Sequence, residues 1–217
     1  MDVIAVATLN VGMDPDDNHR GWAERDGEYS PEYYAQIGPN EVSEILGDVF
    51  DHYVSEDAEI LELGCSSGRH LAYLRRNGYE NLTGIDINDE SFDVMSEHYP
   101  RLAETVTFHA GAIEEILPGM DDSAFDVVYS VEILQHVHPD DEWVFEDVVR
   151  ITDDLLITAE NEGNSPTRGR SDASMNYVND EFPLYYRDWK NVFSTLGCAQ
   201  LLREPSKRDT VRVFRTV

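Results

Sequence analysis

Lysine is scarce in this sequence: only Lys190 and Lys207 occur, and with the arginines they make 16 basic residues against 44 Asp and Glu. The formal charge is −28, and the acids are spread along the chain rather than gathered in a tail. Such a surface repels phosphate backbones and anionic lipid, and at low salt it repels itself. A soluble, cytoplasmic protein suited to strong ionic screening, as in a halophilic cell, is expected. Cysteine is scarce too. Cys65 and Cys198 supply neither a disulfide framework nor a zinc site, so both read as reduced thiols and no metal is expected. No apolar run approaches the roughly 20 residues that cross a bilayer. The start, MDVIAVATLNVGMDPDD, has no basic residue ahead of its short apolar stretch and makes a poor secretory leader. Nucleic-acid and membrane partners are therefore not expected.

What is present is a regular alternation of apolar runs and amphipathic helices. A chain of 217 residues, 41% of them hydrophobic, suits one well-buried core, and no Pro/Gly/Ser-rich linker divides it. The expected organisation is an N-terminal extension and helical cap over residues 1–55, then one α/β domain over 56–217. Residues 1 to about 30 are polar, Asp-rich and without clean periodicity. Ser30 ahead of Pro31 marks a helix start, as does Asn40 ahead of Glu41. In the second helix Val42, Ile45, Leu46, Val49, Phe50 and Tyr53 share one face. AEILELG, NLTGIDI, TVTFHAG, AFDVVYSVE and DLLITAE then read as strands, with RHLAYLRRNG, NDESFDVMSEHYP and PDDEWVFEDVVRIT as helices among them. Strands linked by helices imply a parallel sheet covered on both faces. Helix YYRDWKNVFSTLG and the runs CAQLLRE and DTVRVFRTV add a terminal antiparallel hairpin. The predicted class is a Rossmann-like three-layer sandwich around a mostly parallel seven-stranded sheet.

Open α/β sheets bind ligands beyond the carboxyl ends of their strands, where the strand order reverses. That rule brings GCSSG (residues 64–68), Asp86 with Ile87, AGAIE with Ala112 and Ile113, and SVEILQHVH from Ser130 onward into one crevice. Gly64 and Gly68 let the backbone turn without a Cβ in the way. Asp86 follows Gly64 by about the 20 residues that suit a carboxylate facing ribose hydroxyls. The dinucleotide fingerprint is missing: Ser66 and Arg69 stand where its second and third glycines belong, and Glu62 would set negative charge beside a pyrophosphate. A ligand with a ribose, no phosphate and a positive charge suits these residues better.

LELGCSSG, the acid in GIDIN and FDVVYSVEILQHV resemble motif I, the ribose-binding acid and the segment after the fourth strand of class I S-adenosylmethionine-dependent methyltransferases. The resemblance spans about residues 40 to 217. It implies S-adenosylmethionine as cofactor, Glu62 near its ammonium group, Asp86 on its ribose, and further contacts at Gly64, Cys65, Ser66, Gly68, Ile87, Ala112, Ile113 and Ser130. Two positions depart from the family pattern. Ser66 replaces the middle glycine, and Ala112 stands where an acid often accepts the adenine amino group, which leaves that contact to backbone groups or Glu114.

After the fourth strand there is no Asn/Asp-Pro-Pro-Tyr, the motif by which nucleic-acid amino-methylating relatives hold a base. A small-molecule oxygen or nitrogen acceptor is preferred, the chain acting as monomer or homodimer. His136 is the candidate base, since an unperturbed histidine titrates near neutrality; the alternative is a helix-capping or structural histidine. Trp22, Tyr29, Tyr33 and Tyr34 are candidate lid residues, and Arg168 and Arg170 candidate attractors of an anionic acceptor group. The competing readings are a protein or RNA methyltransferase that works with a partner, and a non-catalytic cofactor-binding scaffold.

Overall fold

The computed structural model describes residues 13–165, 169–170, 175–179 and 181–216. Its strands are β1 (Ile60–Leu63), β2 (Leu82–Asp86), β3 (Thr107–Ala110), β4 (Phe125–Val131), β5 (Thr152–Glu160), two short hairpins made by β6 (Asn164–Ser165) with β7 (Gly169–Arg170) and β8 (Met175–Val178) with β9 (Phe182–Tyr185), and finally β10 (Ala199–Pro205) and β11 (Thr210–Arg215). The main sheet runs β3-β2-β1-β4-β5-β11-β10. Its first five members are parallel, and β11 is antiparallel to both β5 and β10. The order reverses between β1 and β4, so the crevice opens at the carboxyl ends of those two strands.

Period-two alternation sorts the strand residues onto two cores. Ile60, Val127, Tyr129, Leu155 and Ile157 face one side, while Leu61, Leu63, Val128, Leu156 and Phe214 face the other. The helices are α1 (Pro15–Ala23), α2 (Pro31–Ile37), α3 (Glu41–Tyr53), α4 (Arg69–Arg76), α5 (Ser91–His98), α6 (Pro100–Ala103), α7 (Ile113–Ile116), α8 (Val144–Arg150) and α9 (Trp189–Thr195). Apolar residues of α3, α4 and α5 fill the first core and those of α7, α8 and α9 the second, which makes the three layers. A capping box between Asn40 and Ser43 starts α3, whose Val42, Leu46, Val49 and Phe50 are buried. This helix is thus a covering layer of the sheet and shares a core with its strands.

Two local expectations differ from the structure, and a third lies outside the described residues. The polar N-terminal stretch contains α1, begun by Asp14, whose side chain accepts from the Asp16 N–H, with Pro15 in the first turn. This is a regular helix start, hidden by the lack of an apolar stripe. The helix expected from Tyr185 begins only at Trp189, and Tyr185 instead ends the fully buried strand β9, FPLY. Burial on both faces removes the alternation by which a strand is recognised. Arg168 lies outside the described residues, and of Arg170 only the backbone is described.

Candidate active site

At the end of β1 the chain turns through residues 64–68 into α4 and leaves Glu62 at 1% exposure on the wall of a cleft. The Tyr129 hydroxyl donates to Glu62 Oε2 at 2.9 Å. Burial pushes the Glu62 carboxyl up to about 8, against the pull of Tyr129 and the charge of Arg69. Gly64 has φ +64°, and a Cβ there would fall 2.1 Å from the side chain of Ile133. Its missing side chain therefore makes room for the segment after β4 as well as for the turn. Ser66 takes the left-handed conformation too, with φ +48°, and its N–H donates to Asp86 Oδ2 at 2.7 Å. The Asp86 Oδ1 atom accepts from the Asn88 N–H and the Ser91 hydroxyl. The carboxylate that ends β2 thus fixes the motif I turn to the start of α5. Burial raises its pKa, and these three donors oppose the rise.

Glu62, Gly64, Cys65, Ser66, Asp86, Ile87, Ala112 and Ile113 all line this one cleft. Two residues expected there do not. A Cβ on Gly68 would meet Met95 and Leu102, so that glycine faces the helical layer. Ser130 is fully buried, and its hydroxyl donates to Glu160 Oε1 at 2.8 Å. The Cys65 thiol is buried and pushed well above its usual range by desolvation, which keeps it protonated and inert. Ala112 is the N-cap of α7 and makes no side-chain cap. Glu114, the alternative acid, lies 3.5 Å from His19 Nε2, and this contact helps raise the histidine's pKa.

Past β4 the cleft wall changes character. Glu132 has φ +58° and pairs with Arg208 from the β10–β11 turn. Glu160, at the end of β5, accepts from the Ser130 hydroxyl and from the N–H groups of Ile133, Leu134 and Gln135. Gln135 is oriented in turn. Its Oε1 accepts from the Asn161 N–H at 2.8 Å, which turns its amide nitrogen toward His136 Nε2 at 3.3 Å. The other ring nitrogen, Nδ1, donates to the Pro183 carbonyl on β9 at 2.8 Å. His136 is therefore neutral with Nε2 as acceptor, and burial holds its pKa down at about 4. Trp22 lies over the ring with 4.8 Å between centroids, and the Asn18 amide donates to the His136 carbonyl.

A roof of α1, α2 and β9 covers the cleft. Trp22, Tyr29 and Tyr34 line it, while Tyr33 packs edge-on against Tyr34 without reaching it. Asn18, His19, Arg69, Gln135 and Arg208 also line it, none of them anticipated as site residues. Asp14-Pro15 was the signal for the first two, through α1. Asn18 Oδ1 and Trp22 Nε1 are buried without a hydrogen-bond partner among the described residues.

Residues 61–154 match the family model described as a methyltransferase domain. Over that stretch the chain carries a methyltransferase domain. Among curated relatives, the ubiquinone biosynthesis O-methyltransferase of Rickettsia bellii is 29% identical over 131 residues, 60% of this chain and 52% of that protein. The tRNA U34 carboxymethyltransferase of Shewanella halifaxensis is 32% identical over 107 residues, 47% of this chain and 31% of that protein. This chain spans about half or less of the length of these relatives. Among solved structures, the PH0226 protein of Pyrococcus horikoshii superposes with a TM-score of 0.64 at 17% identity, covering 91% of this chain and 95% of that one. A Burkholderia thailandensis 1,6-didemethyltoxoflavin-N1-methyltransferase, solved with its substrate and S-adenosylhomocysteine, gives 0.64 at 16% identity, covering 82% and 79%. At such identities the superpositions establish the fold. The cofactor of this domain class is S-adenosylmethionine, and the cleft fits it: Glu62 lines the cleft and makes no ion pair with any described residue. Among the described residues no group of His, Cys, Asp and Glu could hold a metal, and no helix is long and apolar enough to cross a membrane.

Proposed function

We propose that the protein transfers the methyl group of S-adenosylmethionine to an oxygen or nitrogen of a small molecule. The observation that carries this reading is Glu62, buried on the cleft wall with its pKa raised to about 8, where a ligand ammonium would replace the water it has lost. When bound, S-adenosylmethionine supplies a methyl group on a positively charged sulfur. Asp86 and the Ser66 turn would hold the ribose side, and Ala112 and Ile113 the adenine side. The roof of α1, α2 and β9 supports a small acceptor, because a folded macromolecule would have to displace it. Within that enclosure the chain orients the acceptor and excludes water.

His136 fits an orienting role better than that of a strong base. A pKa near 4 lies far below neutrality, and efficient proton abstraction wants a base that titrates near the working pH. The fixed tautomer leaves Nε2 to accept a hydrogen bond from an acceptor hydroxyl, in exchange for the one from Gln135. Calorimetric titration in molar KCl, which screens the negative surface, is the first test. The expected result is micromolar binding of S-adenosylhomocysteine, followed by its release when S-adenosylmethionine is mixed with a panel of phenols and amines. Folded protein that binds neither cofactor form would overturn the reading. Methylation confined to the protein or RNA fraction of an extract would overturn the small-molecule part.

A further inference from the structure

Three arginines line the cleft, and two of them have acidic partners. Arg25 reaches Glu181 at 2.6 Å, and Arg208 pairs with Glu132. Arg69 differs. As the first residue of α4 it directly follows the motif I turn, and it is 6% exposed. Its guanidinium lies 4.6 Å from the Tyr34 ring centroid and makes no ion pair or hydrogen bond with any described residue. A charge so enclosed is strongly unfavourable without a counter-ion, and two acids sense it without touching it. Those are Glu62 and Asp209, whose carboxyls burial pushes up toward the neutral form, which weakens the compensation they can give the arginine.

We propose that Arg69 is a carboxylate-binding residue of the cleft. The guanidinium is a planar fork that matches a carboxylate with two parallel hydrogen bonds. A phosphate suits the place less well, because Asp86, Glu114 and Glu132 line the same cleft and would repel a dianion more than a single negative charge. The carboxylate has two possible sources: the amino-acid end of the cofactor, whose ammonium would face Glu62 on the other side of the turn, or the acceptor. The inference rests on the reading of the cleft as a cofactor site, and the test keeps the two separable.

Arg69→Met keeps the aliphatic stem against Tyr34 and removes the charge; Arg69→Lys keeps the charge and loses the fork. Each is titrated with S-adenosylhomocysteine, with 5′-methylthioadenosine, which lacks the amino-acid end, and, after saturation with S-adenosylhomocysteine, with benzoate as a simple aromatic carboxylate. If the cofactor supplies the carboxylate, Arg69→Met binds S-adenosylhomocysteine about tenfold or more weakly, 5′-methylthioadenosine as well as wild type does, and Arg69→Lys falls between. If the acceptor supplies it, S-adenosylhomocysteine binding is unchanged, and benzoate binds the wild-type complex but not that of Arg69→Met. Equal weakening of both adenosine ligands marks a structural role and overturns the proposal, as does no change with any probe. Wild-type protein that binds no S-adenosylhomocysteine would defeat the methyltransferase reading, and Arg69 is then judged by whether benzoate binds free wild type and not free Arg69→Met.

Discussion

Two carboxylates at one edge of the sheet are alike in burial and opposite in circumstance. Glu62 on β1 and Glu160 on β5 are 1% and 0% exposed, and burial raises both, to about 8 and about 7. Glu160 is surrounded by donors of its own chain: one hydroxyl and three successive backbone N–H groups of the segment that carries Gln135 and His136. Glu62 has the Tyr129 hydroxyl and the Leu71 backbone N–H, fewer donors than Glu160, and lines the cleft. The first is a bolt within the structure, and the second is the carboxylate that the proposed cofactor would complete. Burial and a raised pKa therefore do not by themselves mark a functional group; the supply of partners does.

Substitution should separate them, with stability the larger effect. Glu160→Ala leaves three N–H groups and a hydroxyl without their acceptor, and about 3 kcal/mol or more of unfolding free energy should be lost. Glu62→Gln keeps the shape and an acceptor for Tyr129, so urea denaturation should shift by about 1 kcal/mol or less. Ligand binding should reverse the ranking. S-adenosylhomocysteine affinity is expected to fall about tenfold or more in Glu62→Gln and to change little in Glu160→Ala at temperatures where it remains folded. The comparison breaks if Glu160→Ala melts like wild type.

Proton linkage sharpens the same contrast. Free Glu62 titrates at about 8, so near pH 7 it is mostly protonated, and an ammonium placed beside it favours the ionised form. Binding should then release close to one proton at pH 7, and affinity should rise with pH up to about 8 and level off above it. Calorimetry in two buffers of different ionisation enthalpy measures the release directly. Glu62→Gln should abolish it, whereas Glu160, already surrounded by donors, should leave it in place when altered to Gln. Release that persists in Glu62→Gln would assign the proton to another group.

The half of the cleft containing Glu62 is the half that could be read from the sequence. Its residues lie within a few positions of strand ends that apolar runs and turn residues mark clearly, and the order reversal brings them together whatever the details of packing. The half around Glu160 depends on contacts between distant segments. Asn161 orients Gln135, Gln135 meets His136, and Pro183 on β9 fixes the imidazole's tautomer. No local pattern encodes these pairs. Helix α1 was invisible for a related reason: its cap is local, but its role depends on a cleft formed by strands far along the chain. Gly68 and Ser130 illustrate the opposite limit, since each lies in the correct motif and points away from the cleft.

The smallest expected effect concerns Ala112, where the legible half departs from its family pattern. This residue caps α7 with an extended backbone and contributes no side-chain hydrogen bond. Aspartate at an N-cap accepts from the first-turn N–H groups and is typically worth about 1 kcal/mol over alanine. Glu114 and Glu115 already crowd that turn with negative charge, so the net gain in stability for Ala112→Asp should be nearer about 0.5 kcal/mol. The same carboxylate would face the adenine side of the cleft, where the family resemblance puts an acceptor for the exocyclic amino group. S-adenosylhomocysteine should then bind about three- to tenfold more tightly. S-inosylhomocysteine separates the two effects because its oxygen replaces that amino group: a gain confined to the adenosyl ligand places the new carboxylate on the amino group, while an equal gain for both would mean that the capped helix merely steadies the cleft wall.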